Sequence, residues 1–272
     1  MNGWIELARA RSQSGEKLVL REQAGTIELR CDGRELMSNR AHYSEQAMGH
    51  YALAERRWRE VLIGGLGFGY TLRAALDCLP AQARVTVAEL MPEVIAWNRG
   101  VLAGLAGHPL SDPRVRVICC DVVDALRPEA FDVVLLDTDN GPDSVMIRSN
   151  VRLYLADGLR AFRHALRPEG GLAVWSADRS PRFEENIRSA GLQWRAYDVP
   201  ARGGADDPRH TIYLGWRATC DGGCDENGGG GSRHPSYAAR LRRPDCGAKG
   251  GPRSSILTPA PSLPARAEKG QP

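Results

Sequence analysis

Four carboxylates and a glycine-rich turn hold most of the chemistry available to this sequence. In Val61-Leu62-Ile63-Gly64-Gly65-Leu66-Gly67-Phe68-Gly69 an apolar run leaves through a glycine turn into the amphipathic segment Tyr70 to Leu79. A turn of this kind lets the backbone approach a nucleotide-like ligand, so Gly64, Gly65, Gly67 and Gly69 are candidate cofactor-binding residues. About twenty residues on, where such motifs place an acceptor for a ribose diol, Glu89 ends the run Val85 to Ala88. Asp121 directly follows a third apolar run, and Asp137 and Asp139 close a fourth in Leu135-Leu136-Asp137-Thr138-Asp139-Asn140-Gly141-Pro142. One carboxylate at a strand end serves equally well as a helix cap or turn former. Four on one edge beside a glycine turn point to a shared nucleoside-cofactor site. The turn itself does not choose between a dinucleotide and an adenosyl sulfonium compound, and a Lys-Ser/Thr phosphate loop is absent, which excludes nucleoside triphosphate hydrolysis.

The elements that must carry these groups alternate. Val61 to Gly65, Arg84 to Glu89, Val115 to Cys119, Phe131 to Leu136 and Gly171 to Ser176 read as strands, with helices over Pro92 to Leu105, Leu153 to Leu166 and Pro181 to Ala190. Near-continuous apolar strands with crossover helices predict a mostly parallel sheet covered on both faces, with ligands beyond the carboxyl ends of the strands. Upstream, Leu18 to Leu20 and Thr26 to Cys31 flank Gln23-Ala24-Gly25 and predict a β-hairpin with one buried face. Tyr43, Ala47, Tyr51 and Trp58 then recur at near-helical spacing.

Composition changes after Trp216, where Gly228 to Gly231, Arg242-Arg243-Pro244 and Pro259-Ala260-Pro261 lack apolar periodicity. Such a segment buries too little surface to offset its ordering entropy, so residues 218–272 are expected to form a disordered tail. The tail carries 8 Lys/Arg and 5 Asp/Glu, a net of +3 that equals that of the whole chain, so residues 1–217 balance. A neutral body gives no expectation of nucleic-acid binding. Cys78, Cys119 and Cys120 fall in apolar elements, while Cys220, Cys224 and Cys246 of the tail lack the matching ligands of a zinc site. His42 and His50 have no metal-ligand spacing, and Ser44 and Ser176 lack a nucleophile elbow, so neither a metal nor hydrolase chemistry is expected. Met1 to Arg11 has no apolar core, and no run reaches membrane-spanning length, which predicts a cytoplasmic protein.

From about Leu18 to Trp216 the sequence resembles the spermidine synthase family, the polyamine aminopropyltransferases. The resemblance rests on Cys31-Asp32-Gly33, Tyr43-Ser44-Glu45-Gln46-Ala47-Met48-Gly49-His50-Tyr51-Ala52-Leu53, the Gly64-Gly65-Leu66-Gly67 turn, Glu89, Asp112-Pro113-Arg114-Val115, Asp121, Asp137, Tyr154 and Leu166-Arg167-Pro168-Glu169-Gly170-Gly171. It implies an α/β, class I methyltransferase-like (Rossmann-type) fold behind a small N-terminal β-hairpin lobe, divided as residues 1–42, 43–217 and 218–272. It also implies transfer of an aminopropyl group from decarboxylated S-adenosylmethionine to an amine such as putrescine, without a metal, in a homodimer. An aliphatic amine, with a pKa near about 10, must lose a proton before it attacks. The resemblance makes Asp137 the base and amine anchor, Asp139 a second anchor, Glu89 the ribose partner and Asp121 the adenine-side group. Tyr43, Glu45 and Tyr154 become acceptor-pocket residues, although Tyr43 and Tyr154 also fit the core and Glu45 a solvated surface. Two features depart from the family pattern. The second carboxylate after the fourth strand stands one residue early, at Asp139, and Asn39-Arg40 replaces an acidic pair ahead of Tyr43. Arg40 near the pocket would repel a diamine, and would instead seat the methionine carboxylate of a methyltransferase using intact S-adenosylmethionine. A non-catalytic nucleoside or polyamine binder is the third reading.

Overall fold

The computed structural model describes residues 3–53 and 58–217; the tail expected to be disordered, with Cys220, Cys224 and Cys246, lies outside the described residues. Strands β1 (Ile5–Arg11), β2 (Lys17–Gln23), β3 (Thr26–Cys31) and β4 (Arg34–Ser38) form an antiparallel four-stranded sheet in chain order. The expected hairpin is its β2–β3 centre. β1 escapes a hydropathy reading because this edge strand packs only the small Ala8 and Ala10 against the core and leaves Ile5 and Leu7 exposed. Ala24 and Gly25, then Asp32 and Gly33, take left-handed φ angles of 48°, 79°, 47° and 81°, the geometry of two-residue hairpin turns. Between β3 and β4 the register moves from Leu29↔Met37 to Arg30↔Glu35, so Leu36 is an extra, bulged residue.

Helix α1 (Tyr43–Leu53) leads to a seven-stranded sheet, β5 (Glu60–Gly64), β6 (Arg84–Glu89), β7 (Val115–Cys119), β8 (Phe131–Leu136), β9 (Leu166–Ser176), β10 (Leu192–Pro200) and β11 (Arg209–Arg217). Trp58 lies beyond the end of α1, and its indole N–H donates to the Ala52 carbonyl at 3.1 Å. The strand order is β10-β11-β9-β8-β5-β6-β7, parallel from β9 to β7, with β10 and β11 antiparallel. Connections from β5 therefore run outward in both directions, and the crevice beyond β5 and β8 is the point where such sheets bind ligands.

Helices α2 (Tyr70–Cys78), α3 (Pro92–Arg99), α4 (Ala156–Ala165) and α5 (Pro181–Ser189) complete the layers. Alternate strand residues feed two cores. Val61, Ile63, Val85, Val87, Val133 and Leu135 pack with α1, α2, α3 and the small sheet, whereas Leu62, Val134, Leu136, Leu172 and Val174 pack with α4 and α5. Gly49 brings α1 onto α2, since a Cβ there would meet the Ala74 Cβ at 2.7 Å. The helices are shorter than their apolar periodicity suggested. α3 stops before Gly100, and a 3-10 turn over Arg148–Tyr154 precedes α4. Among the described residues no helix is long and apolar enough to cross a membrane.

Candidate active site

The glycine turn is built as its sequence requires. Gly65, Gly67 and Gly69 take φ angles of 87°, 51° and 85°, a region that side chains with a Cβ seldom occupy. The Gly65 N–H donates to Ala88 at 2.9 Å, and the Asp137 N–H donates to Gly64 at 2.8 Å, which ties β5 to its neighbours at the sheet edge. The Asn98 amide holds the turn from outside by donating to the Gly67 carbonyl at 2.8 Å. Gly65 and Gly67 face an open pocket of about 710 Å³, mouth included. Gly64 packs on Val122 and Leu136, and Gly69 packs on Pro109 and Asn98, so these two shape the turn instead of lining the pocket.

The pocket walls come from both sheets. Leu18, Leu29, Leu36 and Met37 enter from the small sheet, the bulge at Leu36 allowing two consecutive apolar side chains to line it; Trp175 closes another side from the end of β9. Against these stand four carboxylates, Glu45, Glu89, Asp137 and Asp139. Among the described residues that line the pocket there is no Lys, Arg or His. Arg40 is exposed at the end of the small sheet and contributes nothing to the lining, so the repulsion expected from it does not arise.

The four carboxylates differ in what holds them. Glu89 is buried, and its two oxygens accept from the N–H groups of Leu66 and Met91, both at 2.8 Å. Burial pushes its pKa up against those hydrogen bonds. Asp139, also buried, accepts from the N–H groups of Asn140 at 2.8 Å, Met146 at 2.8 Å and Ile147 at 2.9 Å, and from the Asn150 amide at 3.1 Å. Four donors commit it to holding the loop after β8.

Asp137 accepts from the Thr71 hydroxyl at 2.5 Å, and Glu45 from the Ser44 hydroxyl at 2.6 Å. Burial raises Asp137 to about 6. Burial and the nearby Asp137 charge raise Glu45 to about 8. Two buried carboxylates close to one another resist ionising together, so the pair favours sharing a proton, an acid and a base in one pocket. Glu45 is thus a buried pocket group, not the solvated surface charge that its helical setting also allowed.

Other expected residues fall elsewhere. Asp121 caps the 3-10 turn Val122–Ala125 by accepting from Val123 at 3.0 Å, and pairs with Arg152 at 2.5 Å. It lines a smaller adjoining cavity that shares Gly65, Glu89 and Thr138 with the main pocket. Tyr154 is buried behind the pocket, its hydroxyl 3.0 Å from Thr138 Oγ1 and its ring edge-on to Phe183, which is the core role its helix suggested. Tyr43 packs its ring on the loop at Gly203 and does not line the pocket. Trp175 and Thr71 escaped the sequence reading. Trp175 was detectable as the penultimate residue of an expected strand, the position that presents side chains to the ligand edge.

Thr71 yields a direct test. Its hydroxyl favours the charged form of Asp137, so Thr71→Val should raise the Asp137 pKa. A pH–rate profile of the variant is expected to show its acidic limb moved to higher pH with the plateau little changed; an unmoved limb would separate Asp137 from that limb.

No protein-family model matches the chain. A polyamine aminopropyltransferase of Mycobacterium tuberculosis is 30% identical over 202 residues, covering 70% of this chain and 37% of the relative. One from a Synechococcus species is 29% identical over 125 residues, covering 45% and 39%. The chain thus spans little more than a third of the length of these relatives. Among solved structures, a spermidine synthase in complex with the transition-state analogue AdoDATO has a TM-score of 0.62 at 18% identity over 78% of this chain and 72% of its own. The spermidine synthase of Thermotoga maritima has 0.60 at 16% identity over 78% and 73%. These two share the fold.

Proposed function

Because the chain is a divergent, spermidine synthase-like relative of the polyamine aminopropyltransferases, we propose that it transfers an aminopropyl group from decarboxylated S-adenosylmethionine to a small amine. The observation that carries this reading is the charge of the pocket, four carboxylates with no basic side chain among its described lining residues. Such a pocket suits cations, and both proposed reactants are cationic: an ammonium acceptor, and a sulfonium that also bears an amine. Desolvating the carboxylate of intact S-adenosylmethionine beside Glu45 and Asp137 without a counter-ion is unfavourable. That weighs against methyl transfer.

In this reading Gly65 and Gly67 let the backbone approach the nucleoside, and Glu89 keeps acceptor capacity for the ribose hydroxyls beside its two backbone donors. Asp121, at the adjoining cavity, stands on the adenine side. Asp137 anchors the acceptor and takes its proton. Glu45 is the second anchor in place of Asp139, whose oxygens are committed to the loop. As the amine nitrogen bonds to the propyl carbon, the carbon–sulfur bond breaks, its electron pair stays on sulfur, and one proton is released. The reading also takes the enzyme as a cytoplasmic homodimer acting on small molecules, without nucleic acid or membrane.

Calorimetric titration with the decarboxylated and the intact compound tests it, followed by product analysis with putrescine. The decarboxylated form is expected to bind at least about tenfold tighter, a difference of about 1.4 kcal/mol. Equal or tighter binding of the intact compound would move the chain to methyl transfer. Tight binding without product across a panel of amines would leave a sensor.

A further inference from the structure

Behind Glu45 a line of polar groups runs away from the pocket. Ser44, fully buried in the first turn of α1, has its Oγ 2.6 Å from Glu45 Oε2 and 2.9 Å from His210 Nδ1, and accepts the Trp175 indole N–H at 3.0 Å. His210, on β11, meets the Trp175 ring edge-on at 4.7 Å between centroids. It is only partly buried, so the line ends near solvent, where Asp178 faces the imidazole. At its inner end Glu45 faces Asp137 at the end of β8 and Tyr70 on α2. The line uses three elements far apart in sequence.

The proposed reaction releases one proton per turnover into a pocket walled by Leu18, Leu29, Leu36, Met37 and Trp175. We propose that Ser44 and His210 are positioning residues for a proton relay that empties the Glu45–Asp137 pair to solvent. This rests on the aminopropyl-transfer reading and adds the route by which its proton leaves. The steps balance with no co-reactant. The Glu45 carboxyl proton passes to Ser44 Oγ as the Ser44 hydroxyl proton passes to His210 Nδ1, and the imidazolium then gives its Nε2 proton to water. Glu45 returns to the carboxylate and Ser44 regains its hydroxyl proton, while His210 is left as the Nδ1–H tautomer and returns to the Nε2–H form by proton exchange with water at its partly exposed ring before the next turnover. The relay needs the His210 tautomer with the proton on Nε2, so that Nδ1 accepts from Ser44. Burial lowers the His210 pKa, which favours a neutral imidazole that passes the proton on.

The test is steady-state transfer, across pH, by the wild-type chain, His210→Ala, His210→Gln and Ser44→Ala, with and without imidazole in the buffer. All three variants are expected to lose about a hundredfold in kcat, the low end of general acid–base effects, with the amine KM unchanged. Imidazole should restore His210→Ala in proportion to the free base present, but not Ser44→Ala. His210→Gln keeps most of the packing without a titratable ring, so its loss guards against a folding artefact. Unchanged kcat, or a loss that imidazole fails to restore and that comes with a raised KM, would make the line a packing network and end the relay. A wild-type chain that transfers nothing would overturn the functional reading and take the relay with it; an active wild type beside unaffected variants would overturn the relay alone.

Discussion

Asp137→Asn is expected to cut kcat by about 10³–10⁴-fold, within the range of a lost general base, while making the protein more stable near neutral pH and above. The two effects have one cause. Burial raises the Asp137 pKa from 3.8 to about 6, so the folded state holds its proton more tightly than the unfolded chain. The stability this contributes is full below the ordinary carboxylate value and is lost as pH rises through about 6. Asn has no charge to desolvate, and its side-chain oxygen still accepts from Thr71. Denaturant unfolding should therefore show a higher midpoint for the variant, with the difference shrinking as pH falls from about 6 to the ordinary carboxylate pKa, below which it is gone. A misfolded variant would lose activity and stability together. Normal turnover in a stabilised Asp137→Asn protein would remove Asp137 from the chemistry.

Gly65→Ala should be among the most damaging substitutions in the chain. Gly65 has a φ of 87°, and a Cβ there would overlap the Asp137 carbonyl group, 2.8 Å from its carbon and 3.0 Å from Thr138 Cα. Both obstacles are backbone, so β5 and β8 would have to part at the edge that carries Asp137. A cost of about 3–5 kcal/mol is expected, in the class of substitutions that force a strained backbone and a core displacement together. Ligand binding should be lost as well. Gly67→Ala supplies the comparison, because its Cβ would meet the flexible end of Met37 at 2.7 Å. Equal stabilities of the two variants by chemical denaturation would refute the account of Gly65.

The parallel core and its acidic edge were readable because period and punctuation agree there. Continuous apolar strands, most of them ended by glycine or followed by a carboxylate, leave few alternative arrangements. Glu89, Asp137 and Asp139 accordingly lie where strand ends converge. What stayed hidden depended on relations between distant segments. β1 turns alanines inward, so its hydropathy carries no signal. β11 offers only the short apolar run Ile212-Tyr213-Leu214, and its neighbour β10 alternates with charged residues. The raised pKa of Glu45 depends, beyond its burial, on the charge of Asp137, ninety-two residues later, and the task of Asp139 on the backbone of Met146 and Ile147. Tyr43 and Tyr154 show the converse, since both stand beside a motif and neither lines the pocket directly.

The pocket wall made by Leu18, Leu29, Leu36 and Met37 belongs to a sheet that contributes none of the four carboxylates. On the proposed reading, the wall that bounds the acceptor and the groups that take its proton are thus encoded in separate stretches of the gene. Substitutions among these four side chains, or a shift of the bulge at Leu36, could lengthen or shorten the space for an amine while the proton-handling edge stayed intact. Relatives of this chain could diverge in substrate by changing some twenty amino-terminal residues, and a designer could graft that sheet to redirect the same catalytic edge.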